Sequence, residues 1–219
     1  MALSPKDILS PLQWEFLSCF FEDAAPFFLT GGTALSAFYL QHRYSEDLDL
    51  FTLDGAAFDR VSLYVADTAA KLHAEAVSLQ TAPLFHRYRI TRNADSVIVD
   101  LVKEVVPQVS LEKKRFDGVV VDTLADITAN KVCTVISRIE IKDYIDLYFL
   151  GRAGYPLENY IAIAQQKDAG VSQATLAFVL SEVRLLKVPD FMISPLSLVD
   201  LQEYFHSLAR KLAVESFPR

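Results

Sequence analysis

A chain of 219 residues with 52% apolar side chains can bury the core of one ordinary domain or two small ones, which excludes a disordered polypeptide. Its net charge of -7 excludes a generally basic nucleic-acid binder, although a local groove can still be positive. Two lone cysteines, Cys19 and Cys133, supply neither a disulfide framework nor a metal site and read as buried, reduced thiols in apolar helices.

No charged-then-apolar leader opens the chain and no apolar run approaches the length of a membrane span, so a cytoplasmic protein without a membrane partner is expected. Ser10-Pro11 begins the first helix, serine as cap and proline at the first helical position, with Leu12, Phe16, Leu17, Phe20 and Phe21 recurring at helical spacing. Phe27, Phe28 and Leu29 read as a short buried strand that halts at Gly31-Gly32, and an apolar helical segment from Leu35 to Leu40 follows. Bare backbone N–H groups at such a turn, added to the positive end of a helix, suit phosphate oxygens. Asp47-Leu48-Asp49-Leu50 then alternates acid with apolar residue, which in a strand sends both carboxylates to one face and both leucines into the core. Neighbouring carboxylates of this kind can hold magnesium.

A glycine pair, a helix and then Asp-x-Asp resembles the polymerase-beta superfamily of nucleotidyltransferases. The intervening His42-Arg43-Tyr44-Ser45-Glu46 narrows the resemblance. The pattern His-Arg-x-Ser-x-Asp-x-Asp is similar to that of AbiEii/AbiGii-type nucleotidyltransferases, known mainly as toxins of bacterial toxin-antitoxin systems. Gln41 departs from it, standing where a glycine commonly precedes the His-Arg pair.

Asp54-Gly55 marks a turn, and Phe58, Val61, Leu63, Tyr64, Ala66 and Leu72 predict one long helix to about His73. Strands are predicted over 76–81, 84–91 and 96–102, with a turn at Asn93-Ala94-Asp95. Antiparallel pairing of Arg87–Ile90 with Val97–Leu101 can set Asp100 on a strand beside the one bearing Asp47 and Asp49. An acid inside such a Val/Ile run is either at an exposed edge, paired, or bound to a cation. Lys103, Glu104, Lys113, Lys114 and Arg115 read as a solvated loop, and Val119–Val121 as a further short strand.

Asp122-Thr123 can cap a helix to about Arg138, on which Lys131, Thr134 and Arg138 share a face that is either solvated or turned to phosphate. The next helix, Glu140 to Leu150, carries Asp143 and Asp146 one turn apart. The AbiEii resemblance extends here through an Asp-Ile-x-x-x-Lys helix, a later arginine and an Arg-Asp-x-x-Asp-Leu helix. The matching residues are Asp126-Ile127 with Lys131, then Arg138, then Lys142-Asp143 with Asp146-Leu147. Lys142 replaces the usual arginine and loses its planar, two-pronged donor. Beyond a break at Gly151–Tyr155, helices are predicted over 157–166, 172–186 and 196–214, with a stripe of Leu176, Val179, Leu180, Val183 and Leu186 for bundle packing. His206, on an apolar-aromatic face, reads as structural.

The resemblance implies an α+β fold: a nucleotidyltransferase-type mixed sheet flanked by helices and followed by a C-terminal helical bundle. The expected division is a core at 1–122 and a helical domain at 123–219 that contributes Lys131 and Asp143 to the cleft. It implies magnesium-dependent transfer of a nucleoside monophosphate from an NTP to an RNA, tRNA or protein acceptor, by a toxin that has a cognate antitoxin. Asp47, Asp49 and Asp100 are the expected metal ligands; Gly31, Gly32 and Thr33 cradle the triphosphate with Ser45 nearby. Lys131 clamps the phosphates, Asp143 belongs to the cleft, and Arg43 positions either phosphate or Asp47. Two alternatives remain: an inactive nucleotide- or protein-binding module on this fold, and an enzyme that modifies a small molecule such as an aminoglycoside.

Overall fold

The computed structural model describes residues 3–24, 26–184 and 187–216. The chain divides into two compact units, Met1–Val105 with Glu112–Thr123, and Val106–Leu111 with Leu124–Arg219.

The first unit is built on seven strands: β1 (Phe27–Thr30), β2 (Leu48–Thr52), β3 (Glu75–Ala82), β4 (Phe85–Arg92), β5 (Asp95–Lys103), β6 (Lys114–Phe116) and β7 (Val119–Val121). They form one mixed sheet in the order β3-β4-β5-β2-β1-β7-β6, parallel at β2/β5 and β1/β7 and antiparallel elsewhere. Leu48 and Leu50 are fully buried while Asp49 between them is half-buried, the alternation that a strand with one core face requires. Flanking helices are α1 (Pro5–Ile8), α2 (Pro11–Asp23), α3 (Gly31–Leu35) with a π-helical continuation (Ser36–Leu40), α4 (Gly55–Phe58) and α5 (Val61–Lys71). Phe20 of α2 packs with Phe16, Phe27 and Tyr64 at ring separations of 5.4–6.4 Å and anchors α2 and α5 to the sheet.

Three local readings are corrected here. The long helix predicted through Phe58 is two, because the Asp54 carboxylate caps the amides of Ala56 and Ala57 and starts a separate short turn that ends before Val61. The predicted solvated loop contains β6, hairpinned to β7 around Asp117 (φ 46°) and Gly118 (φ 92°). Lys113 is not solvated: its side chain, 7% exposed, pairs at 2.6 Å with the fully buried Asp122.

The second unit is helical: α6 (Leu124–Arg138), α7 (Ile141–Arg152), a 3-10 turn (Leu157–Tyr160), α8 (Ile161–Lys167), α9 (Gln173–Ser181) and α10 (Leu198–Ser216). Leu147, Leu176, Leu180, Phe205 and Leu212 are buried in its core. Asp126, expected as a motif residue of α6, holds backbone: its two oxygens accept the amides of Val109 at 2.6 Å and Ser110 at 3.1 Å. These bonds tie the segment Val106–Leu111 to the helical unit. Helix α9 ends at Ser181, short of the predicted 186, and Leu186 lies outside the described residues. His206 is exposed, lining a groove between α9 and α10 with Phe178, instead of sitting in the core. Cys19 and Cys133 are half-buried, the Cys133 thiol donating to the Ala164 carbonyl, and burial pushes the Cys19 thiol up.

Candidate active site

Residues 30 to 49 fold into a corner whose parts explain one another. Gly31 has φ +69°, a left-handed conformation that disfavours any side chain, and a Cβ there would lie 2.1 Å from Oδ2 of Asp49. A Cβ on Gly32 would lie 2.5 Å from Nη2 of Arg43 and 3.2 Å from Oγ of Ser45. The glycine pair is therefore the space into which a carboxylate, a guanidinium and a hydroxyl are packed. The structure thus brings Gly31, Gly32, Arg43, Ser45 and Asp49 to one place.

The loop into β2 is pinned from α2. Ser10 and Gln13 form a capping box, and the Gln13 amide also donates to the carbonyls of Ser45 at 3.0 Å and Glu46 at 2.8 Å. Thr33, fully buried, donates its hydroxyl to the Asp47 carbonyl. It holds the backbone of Asp47, in addition to any part in a phosphate cradle. Arg43 is 3% exposed and donates through Nη1 to the Tyr44 carbonyl at 2.9 Å. At the end of β1, Thr30 donates to Asp122 at 2.7 Å, and Asp122 is in turn neutralised by Lys113.

Across the sheet, Thr30, Asp49, Asp100 and Arg87 stand in register on the adjacent strands β1, β2, β5 and β4. Residues directly opposite one another share a face of the sheet, so Asp100 is on the same face as Asp49. Asp100 is 7% exposed, and Arg87 grips it with both prongs, Nε to Oδ1 and Nη2 to Oδ2, each at 2.6 Å. Contact with Asp100 holds the Arg87 guanidinium further in its charged form, with added support from Asp47 and Asp49.

In the helical unit the motif residues form a buried charge cluster. Lys131, 4% exposed, donates to Asp143 at 2.8 Å and lies 2.6 Å from an Asp146 oxygen. Arg138 reaches the same Asp143 with Nε at 2.8 Å and Nη2 at 3.0 Å. Burial, the largest influence on the Asp143 carboxyl, pushes it up, but Arg138 and Lys131 together outweigh burial and leave it below the usual carboxylate range. Lys142 stands outside this cluster, paired instead with Glu140 at 2.9 Å near the surface.

The sequence profile of the family described as nucleotidyl transferase AbiEii toxin, type IV toxin-antitoxin system, matches residues 15–217. The chain belongs to the AbiEii nucleotidyltransferase toxin family. This AbiEii-family protein is accordingly a nucleotidyltransferase of the toxin type. No curated protein matches it.

Solved structures share its fold. A putative nucleotidyltransferase from H. pylori superposes with TM-score 0.59 at 16% identity, over 94% of this chain and 97% of that one. JHP933 from Helicobacter pylori gives 0.58 at 19%, over 93% and 90%. MenT4, a nucleotidyltransferase toxin from Mycobacterium tuberculosis, gives 0.60 at 12%, over 92% and 82%. At these identities the likeness is one of fold.

Among the described residues of this AbiEii-family protein, no group of three or more His, Cys, Asp or Glu side chains is arranged to hold a metal ion, and no helix is long and apolar enough to cross a membrane. The donors nonetheless fit a hard cation in kind: carboxylate oxygens from β2 and β5 share one face, beside a glycine whose missing Cβ makes room for Asp49. Arg87 and Lys113 are the charged residues that sequence reasoning passed over. Counting outward from the two-residue turn at Asn93-Ala94 puts Arg87 opposite Asp100, so that signal was present. Nothing local marks Lys113, whose partner is nine residues away on the far side of a hairpin.

Proposed function

We propose that the protein transfers a nucleoside monophosphate from a magnesium-bound NTP to an RNA or protein acceptor, with pyrophosphate leaving. The observation that carries this reading is the seating of Asp49 on the bare Cα of Gly31, in register with Asp100. It puts a left-handed glycine turn, whose amides suit phosphate oxygens, against carboxylates that suit a divalent cation. Asp47, Asp49 and Asp100 are the residues that would hold magnesium. When bound, the ion supplies activation of the attacking oxygen and neutralisation of triphosphate charge.

The remaining work falls to the protein's own groups. Gly31 and Gly32 present backbone amides to the phosphates, with Thr33 fixing Asp47 behind them and the Ser45 hydroxyl within reach of the same corner. Arg43, wedged against Gly32, holds the turn and the loop together. Within the helical unit, Asp143 and Asp146 are the resident counter-ions that keep the Lys131 ammonium in one place. A toxin of this kind calls for a cognate antitoxin, as the family's type IV system implies.

The test is direct. Native protein incubated with each α-labelled triphosphate and total cell RNA or protein should yield a labelled acceptor, and Asp49→Ala, folded by circular dichroism, should not. Transfer by Asp49→Ala at the native rate would sink the assignment.

A further inference from the structure

Arg87 is a charged residue at this site that the proposed chemistry leaves without a task. Asp100 has a flanking residue in register on each side, Asp49 on β2 and Arg87 on β4. Both of its oxygens already accept from the Arg87 fork, and the guanidinium in turn lies 5.5 Å from the Phe85 ring two residues earlier on the strand. A carboxylate that is 7% exposed is costly without a cation, and Arg87 is the cation present.

We infer that Arg87 is the built-in counter-ion of Asp100, which a divalent cation must share or displace to gain its third carboxylate, so that this arginine sets the metal affinity of the site. The inference rests on the metal reading given above. Physically, a bidentate guanidinium occupies one in-plane lone pair on each oxygen and repels a second cation brought to the same carboxylate. The arginine keeps Asp100 neutralised in the metal-free protein. It also leaves a site that fills best when the ion arrives on a triphosphate, whose oxygens supply further ligands.

The test is a Mn2+ titration of the full chain, with free Mn2+ read by electron paramagnetic resonance, alongside thermal melting. Arg87→Gln should bind Mn2+ about tenfold more tightly than the native protein, and Arg87→Lys, a point charge without the fork, by a smaller factor. Metal-free Arg87→Gln should melt below the native protein, with the gap closing as Mn2+ is added. Arg89→Gln, which removes the same charge from an exposed position two residues along β4, should stay within about twofold of native affinity. Asp100→Asn in the Arg87→Gln background should erase the gain. Native affinity or weaker binding in Arg87→Gln overturns the inference; if that variant fails to fold, the same outcome in Arg87→Lys overturns it instead. Native protein that binds no Mn2+, with or without triphosphate, sinks the metal reading and the inference together; native binding that Arg87 variants leave unchanged sinks the inference alone.

Discussion

Gly31 and Asp49 occupy the same space: a methyl group on the first would fall 2.1 Å from a carboxylate oxygen of the second. Replacing Gly31 with Ala therefore does two things. It places a side chain at φ +69°, costing about 1–2 kcal/mol of stability, and it drives Asp49 off its position in β2. Displacement of a reacting-site group by about 1 Å can cost on the order of a hundredfold in rate. Gly31→Ala should thus lose far more transfer activity than stability, as measured by labelled-NTP turnover beside chemical denaturation. A variant with native turnover would mean that Asp49 tolerates displacement.

Lys113 and Asp122 make a second, buried relationship, with side chains 7% and 0% exposed. Asp122 also accepts from the Thr30 hydroxyl and the Thr123 amide, so it clamps the end of β1 just before the glycine corner. Removing one partner of a buried pair strands the other charge, typically at about 3–5 kcal/mol. Lys113→Met should show a loss of this order in urea denaturation, and Lys113→Met combined with Asp122→Asn should cost less than the two single losses added. Strict additivity would show that the pair is not coupled.

What was legible in the sequence was local. Gly31-Gly32 and Asp47-Leu48-Asp49 announce a turn and a half-buried strand through steric freedom and period-two alternation, both properties of a few adjacent residues. The placement of Asp100 beside Asp49 needed a non-local step, the parallel pairing of β5 with β2, whereas the short turn between β4 and β5 fixes only that Arg87 stands opposite Asp100. Lys113 looked solvated because it stands with Lys114 and Arg115 in a charged, polar stretch; what buries it is the return of the chain through β7 to Asp122. The break between α4 and α5 was hidden because the apolar spacing continues across it while the Asp54 cap satisfies a separate turn. Lys131 was read as one face of a helix, and its burial between Asp143 and Asp146 depends on how α7 returns against α6.

The charge cluster in the helical unit gives stability a pH dependence. The Asp143 carboxyl lies below its ordinary value because Arg138 and Lys131 outweigh burial, so it binds a proton less readily folded than unfolded. The sign follows: its contribution is fully present above the unfolded value of ~3.9 and is lost as pH falls through the lower folded value. Native protein should lose stability progressively below about pH 4, whereas Asp143→Asn should be less stable at pH 7 and show a flatter fall in acid. Urea midpoints at a series of pH values report both. Parallel curves for the two proteins would show that Asp143 titrates alike folded and unfolded.

Divalent-ion dependence is the sharpest consequence of the proposed metal-bound reaction. Asp100 carries a resident cation in Arg87, so the protein should keep its fold without metal, and chelation should strike activity before structure. Excess chelator should lower nucleotidyl transfer by about a hundredfold or more with the circular dichroism spectrum unchanged, and added magnesium should restore it. Calcium, larger and looser in its coordination, should support triphosphate binding better than turnover. Full activity in chelator would show that the acids of β2 and β5 work without a metal. Unfolding in chelator would instead show that Arg87 does not suffice to balance Asp100, and that the ion is part of what holds the strands in register.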